Sequence, residues 1–177
     1  SFLKQIIELG VDDITVTGTC LEYGMVEGEL DVNMKTDPII PYAIAKDSLR
    51  KFLFHLKNDK KFDLKWLRLF YMYGKGQSKK SILSQLKIAL DNGEKTFNMS
   101  GGEQERDYLH VNDVAQKIVD FALQKNSGIF NVCSGKPIKI KNLVLNYLSK
   151  NNQSIKLNYG YYPYTNYEPM SFWGKLN

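Results

Sequence analysis

Four side chains along this chain have types and spacings that could do chemistry. Tyr42 and Lys46 stand four residues apart in Pro41-Tyr42-Ala43-Ile44-Ala45-Lys46, so on a helix both lie on one face. A free phenol ionises at a pH of about 10, too high for a base at neutral pH. A neighbouring ammonium favours the phenolate and draws that value toward the working range. A second pair with the same spacing, Tyr71 and Lys75, runs through Gly74 after a strand pattern and is read as non-helical. Thr19 follows the strand pattern Asp13 to Thr17. Open α/β sheets place ligands at strand C-terminal ends, and a hydroxyl there can donate to or accept from a ligand oxygen. The alternative is a turn threonine bonded to its own backbone. Arg106 follows the glycine pair Gly101 and Gly102 in a stretch read as a polar, aromatic loop. It suits a diphosphate through charge-assisted hydrogen bonds, or else an ion pair with Asp107 or Glu103.

The elements that must position these residues alternate between helix and strand, which argues for an α/β fold. Phe2 to Leu9 has a helical pattern ended by Gly10. Met25 to Ile40 is a polar loop, and Pro41 opens a long helix, where a first-turn proline loses no needed hydrogen bond. Its apolar stripe is Leu49, Phe52, Leu53 and Leu56. Leu64 to Phe70 is a mostly apolar strand broken by Gly74 and Gly76. Ser81 to Leu90, Val111 to Leu123 and Ile140 to Leu148 read as helices. Ile129 to Val132 and Ile155 to Tyr159 read as strands, and the aromatic tail as an ordered loop.

Composition excludes several classes. The 177 residues can bury one real core. No run of eighteen apolar residues occurs, so no membrane span is expected. Cys20 and Cys133 make no disulfide framework and have no metal-ligand spacing; a reducing cytoplasm suits them, and no metal is expected. Cys20 also has no neighbour that would activate its thiolate. His110 is read as structural and His55 as a surface residue in mid-helix. The net charge of +5 comes from scattered lysine, with arginine only at positions 50, 68 and 106. Nucleic-acid readers lean on clustered arginine, so no nucleic-acid partner is expected.

Five ordered segments together resemble the extended short-chain dehydrogenases/reductases, the NAD-dependent epimerase/dehydratase group acting on nucleotide sugars. Thr19-Cys20-Leu21-Glu22-Tyr23-Gly24 resembles the family's S/T-x-x-x-Y-G, and Pro41 to Lys46 its P-Y-x-x-S/A-K. Arg68 to Gly74 resembles R-x-x-N-x-Y-G-P, Arg106 to Ala115 resembles R-D-F-x-H-V-x-D-V-A, and Phe130 to Pro137 resembles Y-N-V-G-S-G-x-P. The resemblance implies a Rossmann-like parallel sheet with a small substrate-binding subdomain. Residues 1–74 would be the C-terminal part of the dinucleotide-binding domain with the catalytic residues. Residues 75–177 would be mainly the substrate subdomain, with 107–132 returning to the first domain. Thr19, Tyr42 and Lys46 would be catalytic and touch the cofactor, NAD or NADP, with Phe70 beside it. Tyr71, Phe97, Asn98, Met99 and Arg106 would bind the nucleotide-sugar substrate. The resemblance also implies a homodimer and a place in nucleotide-sugar metabolism, such as cell-surface polysaccharide biosynthesis.

Departures from the pattern carry information. No G-x-x-G-x-x-G or G-x-G-x-x-G turn occurs, and the chain begins on a helix pattern, as a piece whose first strands lie outside it would. Family dehydratases carry Asp-Glu after the hydroxyl residue; here Cys20-Leu21 stands there. Dehydration is therefore disfavoured. Reduction of a 4-keto sugar nucleotide is expected first, 4-epimerisation second, and a non-catalytic fragment or degenerate subunit is the remaining reading. Tyr71 replaces the asparagine that usually touches substrate, Lys75 a proline and Cys133 a glycine.

Overall fold

A computed structural model describes residues 2–176. The chain opens with helix α1, Phe2–Glu8, ended at Gly10 with φ +97°. Strand β1 is Asp13–Thr19, two residues longer than its apolar alternation indicated, because Gly18 and Thr19 keep pairing with Arg68 and Leu69. A 3-10 turn, Cys20–Tyr23, follows. The loop expected over Met25 to Ile40 contains a short strand, β2, Gly28–Leu30. Helix α2 is Pro41–Leu56 with proline in its first turn, and β3 is Asp63–Leu69.

Strand β4, Tyr71–Tyr73, continues past the end of β3, so the Tyr71–Lys75 spacing is not helical. Helix α3, Ile82–Asp91, is capped by Ser81, whose Oγ accepts the Ser84 N–H at 3.4 Å. Strand β5 is Thr96–Asn98. The Arg106 segment is a strand rather than the expected loop: β6, Glu105–His110. It pairs on both sides, in parallel with β4 and antiparallel with β8, Pro137–Lys139. Polar residues tolerate that place because Arg106 and Asp107 are buried with partners. Helix α4 is Val111–Ala122, β7 is Gly128–Val132 and α5 is Ile140–Lys150. Strand β9 is Lys156–Asn158, and the tail carries β10, Phe172–Gly174. Among the described residues, no helix is long and apolar enough to cross a membrane.

The organising sheet is parallel, in the order β1-β3-β7. One face packs on α1 and α2 through Ile7, Ile14, Leu53, Leu64 and Trp66. The other packs α4 through Leu67, Val114 and Val132. Burial on both faces is why β3 reads as a nearly continuous apolar run. Its two buried cations are each paired: Lys65 with Asp13 at 2.6 Å and Arg68 with Glu22 at 2.9 Å. A second core joins α3 and α5 around Leu86, Phe97, Met99 and Val144. Between the two lies a joint of Cys20, Tyr23, Phe70, Cys133 and Phe172. Here β10 pairs with β2 and is bridged to β6 through Ser171 and Glu105.

Candidate active site

Helix α2 packs against β1, β3 and the turn that follows β1. Lys46 Nζ donates to the Thr17 carbonyl at 2.8 Å, tying that face of α2 to β1. The same ammonium lies 5.9 Å from the centre of the Tyr42 ring. Tyr42 is 55% exposed. Thr19 is buried, and its Oγ1 accepts the Leu21 N–H at 3.3 Å. It is thus a backbone-bonded turn threonine, as one reading held. That bond occupies an acceptor site and leaves the hydroxyl proton to donate. The structure sets Lys46 against Tyr42 on α2 and ties it to Thr17, two residues before Thr19 on β1.

The turn after Thr19 is held by its own sequence. Glu22 accepts the Thr19 N–H at 2.9 Å and the Trp66 Nε1–H at 3.1 Å. Tyr23 is fully buried, donates its hydroxyl to Asn131 at 2.8 Å and carries the Arg68 guanidinium over its ring. Gly24 has φ +77°, and a Cβ there would run into the Asp37 carbonyl, so the Tyr-Gly pair requires glycine. Cys20 is buried beside Phe70, and burial pushes its thiol well above the usual range.

Phe70 is buried in the joint cluster, tilted against Phe172 with ring centres 6.5 Å apart. Tyr71 packs between Tyr108 and Phe172, with ring centres at 5.4 and 6.0 Å. Its hydroxyl is buried and makes no well-formed hydrogen bond among the described residues. Burial first, then the nearby Cys20 and Glu168, push its ionisation far above the ordinary phenol range. It therefore stays a neutral donor. Tyr71 lines a cavity of about 490 Å³ together with Ser81, Ser100, Gln104, Tyr108 and Glu168.

Arg106 stands at the edge of the same cluster, buried with 3% exposure. Its partner is neither Asp107 nor Glu103 but Glu168, at 3.0 Å from Nη2. Nη1 donates to the Glu105 and Met170 carbonyls, and the guanidinium lies 4.5 Å from the Phe172 ring centre. Asp107 instead accepts the N–H groups of Ser134 at 2.7 Å and Gly135 at 2.8 Å. Glu103 pairs with Lys139 and Lys141 on the surface, which lowers its carboxyl to about 2. Phe97 and Met99 turn their side chains into the α3–α5 core, away from Thr19. Asn98, between them, accepts from Asn158 at 2.8 Å. His110 caps α4 through Nδ1, and His55 is exposed. Among the described residues, no cluster of His, Cys, Asp and Glu could hold a metal ion. Sequence reasoning did not single out Glu22 and Glu168. Glu22 lies inside the quoted hydroxyl motif, whereas only proximity in the fold reveals Glu168.

Comparisons with known proteins show the family and the fold. A curated relative, dTDP-6-deoxy-L-talose 4-dehydrogenase (NAD(+)) of Aggregatibacter actinomycetemcomitans, is 34% identical over 174 residues. The match covers 98% of this chain, which spans 64% of that relative's length. Among solved structures, UDP-N-acetylglucosamine 4-epimerase of Methanobrevibacter ruminantium M1 superposes with a TM-score of 0.90 at 22% identity. That match covers 98% of this chain and 57% of the epimerase. MoeE5, solved with UDP-glucose and NAD, superposes with a TM-score of 0.85 at 23% identity, covering 98% and 59% of the two chains. Both structures share the Rossmann-like fold. A sequence profile of the NAD dependent epimerase/dehydratase family matches residues 2–133, which span the motifs of β1, α2, β3 and β6. The chain belongs to the NAD-dependent epimerase/dehydratase family.

Proposed function

We propose that this chain is the catalytic and substrate-binding part of an NAD- or NADP-dependent oxidoreductase that acts at C4 of a nucleotide sugar, reducing a 4-keto group. The observation that carries the reading is the Lys46–Thr17 bond, which fixes the Tyr42 face of α2 against the strand end bearing Thr19. Tyr42 moves the proton on the sugar oxygen, Lys46 lies beside its ring as a positive charge, and Thr19 donates to the same oxygen. The residues present fit the nicotinamide–ribose end of a dinucleotide. A half-buried ammonium with donors to spare and an exposed phenol suit ribose hydroxyls and a carbonyl. When bound, the nicotinamide supplies or takes the hydride at the sugar carbon. Phe70 is assigned to the wall beside it. The dinucleotide side is assigned to the β1-β3-β7 sheet and the substrate side to α3, α5 and the short strands around them.

Three features support reduction over dehydration or epimerisation. Cys20 and Leu21 offer no acid–base pair, and the Glu22 carboxylate is taken by Thr19, Trp66 and Arg68. Tyr71 is wedged between two rings at the position usually given to a smaller asparagine, which restricts the ring rotation an epimerase needs. The relative's name specifies oxidation at C4, and one catalytic arrangement serves a reaction in both directions. The unpartnered Tyr71 hydroxyl and the cavity beside it are assigned to the sugar, Arg106 to the diphosphate, and Phe97, Asn98 and Met99, at the end of β5, to the nucleotide side. The partners are then a nucleotide sugar and a second copy of the chain.

The test is to give the full polypeptide carrying this chain a panel of 4-keto sugar nucleotides with reduced cofactor. Loss of nicotinamide absorbance in proportion to product supports the reading. Interconversion of two epimers without added reductant would replace it with epimerisation.

A further inference from the structure

The Glu22 carboxylate is fully buried yet has no place in the proton or hydride steps. A buried charge persists only with partners, and Glu22 has four. It accepts the Thr19 N–H at 2.9 Å, the Trp66 indole N–H at 3.1 Å and the Arg68 Nε–H at 2.9 Å, and Arg50 Nε lies 3.7 Å away. These partners come from β1, β3 and α2. They are the elements that carry Thr19 and the Tyr42–Lys46 pair, and β3 leads directly into Phe70. Arg50 sits on α2 about two turns beyond Tyr42 and is itself locked to Asp47 at 2.7 Å. Gly18 is part of the same device. A Cβ there would overlap both the Trp66 indole nitrogen and the Glu22 carboxylate.

The turn also sets how the Thr19 hydroxyl is used. Glu22 takes the Thr19 N–H while the Thr19 side chain takes the Leu21 N–H, a reciprocal cap on the 3-10 turn. The cap orients the threonine and engages one of its acceptor sites. Removing the carboxylate frees the Thr19 backbone N–H and undoes the cap that orients its side chain.

We propose that Glu22 is a positioning residue: it holds the Thr19 hydroxyl in place against the Tyr42 helix, and acts on turnover only through Thr19. This rests on the reading that Thr19 and Tyr42 serve the reacting oxygen. Misplacement of a reacting group by about 1 Å costs on the order of 100-fold in rate.

The test is a double-substitution cycle in the full polypeptide, with kcat and KM measured for a 4-keto sugar nucleotide. Glu22→Gln keeps the size but turns an amide toward Arg68. It is expected to lower kcat about 10- to 100-fold with KM changed less than about twofold. In a Thr19→Ala background the same change is expected to cost less than about twofold, because the group it positions is gone. Equal losses in both backgrounds, or undiminished turnover of Glu22→Gln, would overturn the proposal. If Glu22→Gln does not fold, Trp66→Phe removes one neutral donor to the same carboxylate. Its loss in kcat must likewise vanish without the Thr19 hydroxyl, and an additive loss overturns the proposal. Wild-type turnover in Thr19→Ala alone would sink the functional reading itself, and the proposal with it. That outcome is distinct from additivity.

Discussion

Lys46 Nζ donates to the carbonyl of Thr17 at 2.8 Å, twenty-nine residues away in sequence. The bond couples the helix that carries Tyr42, proposed here as the acid–base residue, to the strand that ends in Thr19. The lysine is therefore a strut as well as a charge.

Tyr42→Phe is expected to lower kcat by at least 100-fold, within the 10²–10⁴-fold contribution typical of general acid–base catalysis. Tyr42 is 55% exposed, so the fold should be unaffected. Steady-state kinetics with a thermal melt check both halves. Retention of more than about a tenth of kcat would remove Tyr42 from the mechanism.

Lys46→Met removes the charge and the strut together. Cofactor binding should weaken by about 1.5–3 kcal/mol, the worth of a hydrogen bond to a charged group, and turnover should fall with it. Titration of cofactor against protein fluorescence gives the first number. Unchanged affinity would leave Lys46 with the structural role alone.

Arg106→Ala should do two separable things. Its buried pair with Glu168 is broken, and losing one partner of such a pair costs about 3–5 kcal/mol, toward the low end here because Glu168 is partly exposed. Nucleoside diphosphate affinity should also fall, by about 1.5–3 kcal/mol. Denaturant unfolding and calorimetric binding measure the two. A drop in stability with unchanged affinity for UDP, dTDP, CDP and GDP would assign Arg106 to the joint alone.

Gly18→Ala should be destabilising although the residue sits in a regular strand. The added methyl meets Trp66 and Glu22, which are both held in place. Overpacking of this kind costs about 1–3 kcal/mol. A melting temperature equal to wild type would mean the Glu22 cluster is looser than its hydrogen bonds indicate.

Local signals made the frame of this site readable. Pro41 at a helix start, the apolar run of β3 and the motif spacing led to the right elements, and the family followed from their order. What stayed hidden depended on long-range partners. Arg106 and Glu168 lie sixty-two residues apart, and nothing local to either announces the pair. β6 looked like a loop because its polar residues are satisfied by Glu168, Ser134 and Gly135 rather than by solvent. Glu22, inside the quoted motif, would face away from Thr19 on an extended strand. The 3-10 turn brings it inward instead. Phe97 and Met99 lie where the family pattern suggests ligand contacts, yet their apolar side chains serve the α3–α5 core.

The central claim is that the chain moves a hydride at a sugar carbonyl and does not eliminate water. The most direct measurement uses reduced cofactor carrying deuterium at nicotinamide C4, with the full polypeptide and a 4-keto sugar nucleotide, read by mass spectrometry and NMR. One deuterium is expected at C4 of the sugar for each cofactor oxidised, with no loss of water from an unmodified nucleotide hexose. A 4-keto-6-deoxy product formed from that hexose, with no deuterium transferred to C4, would contradict it.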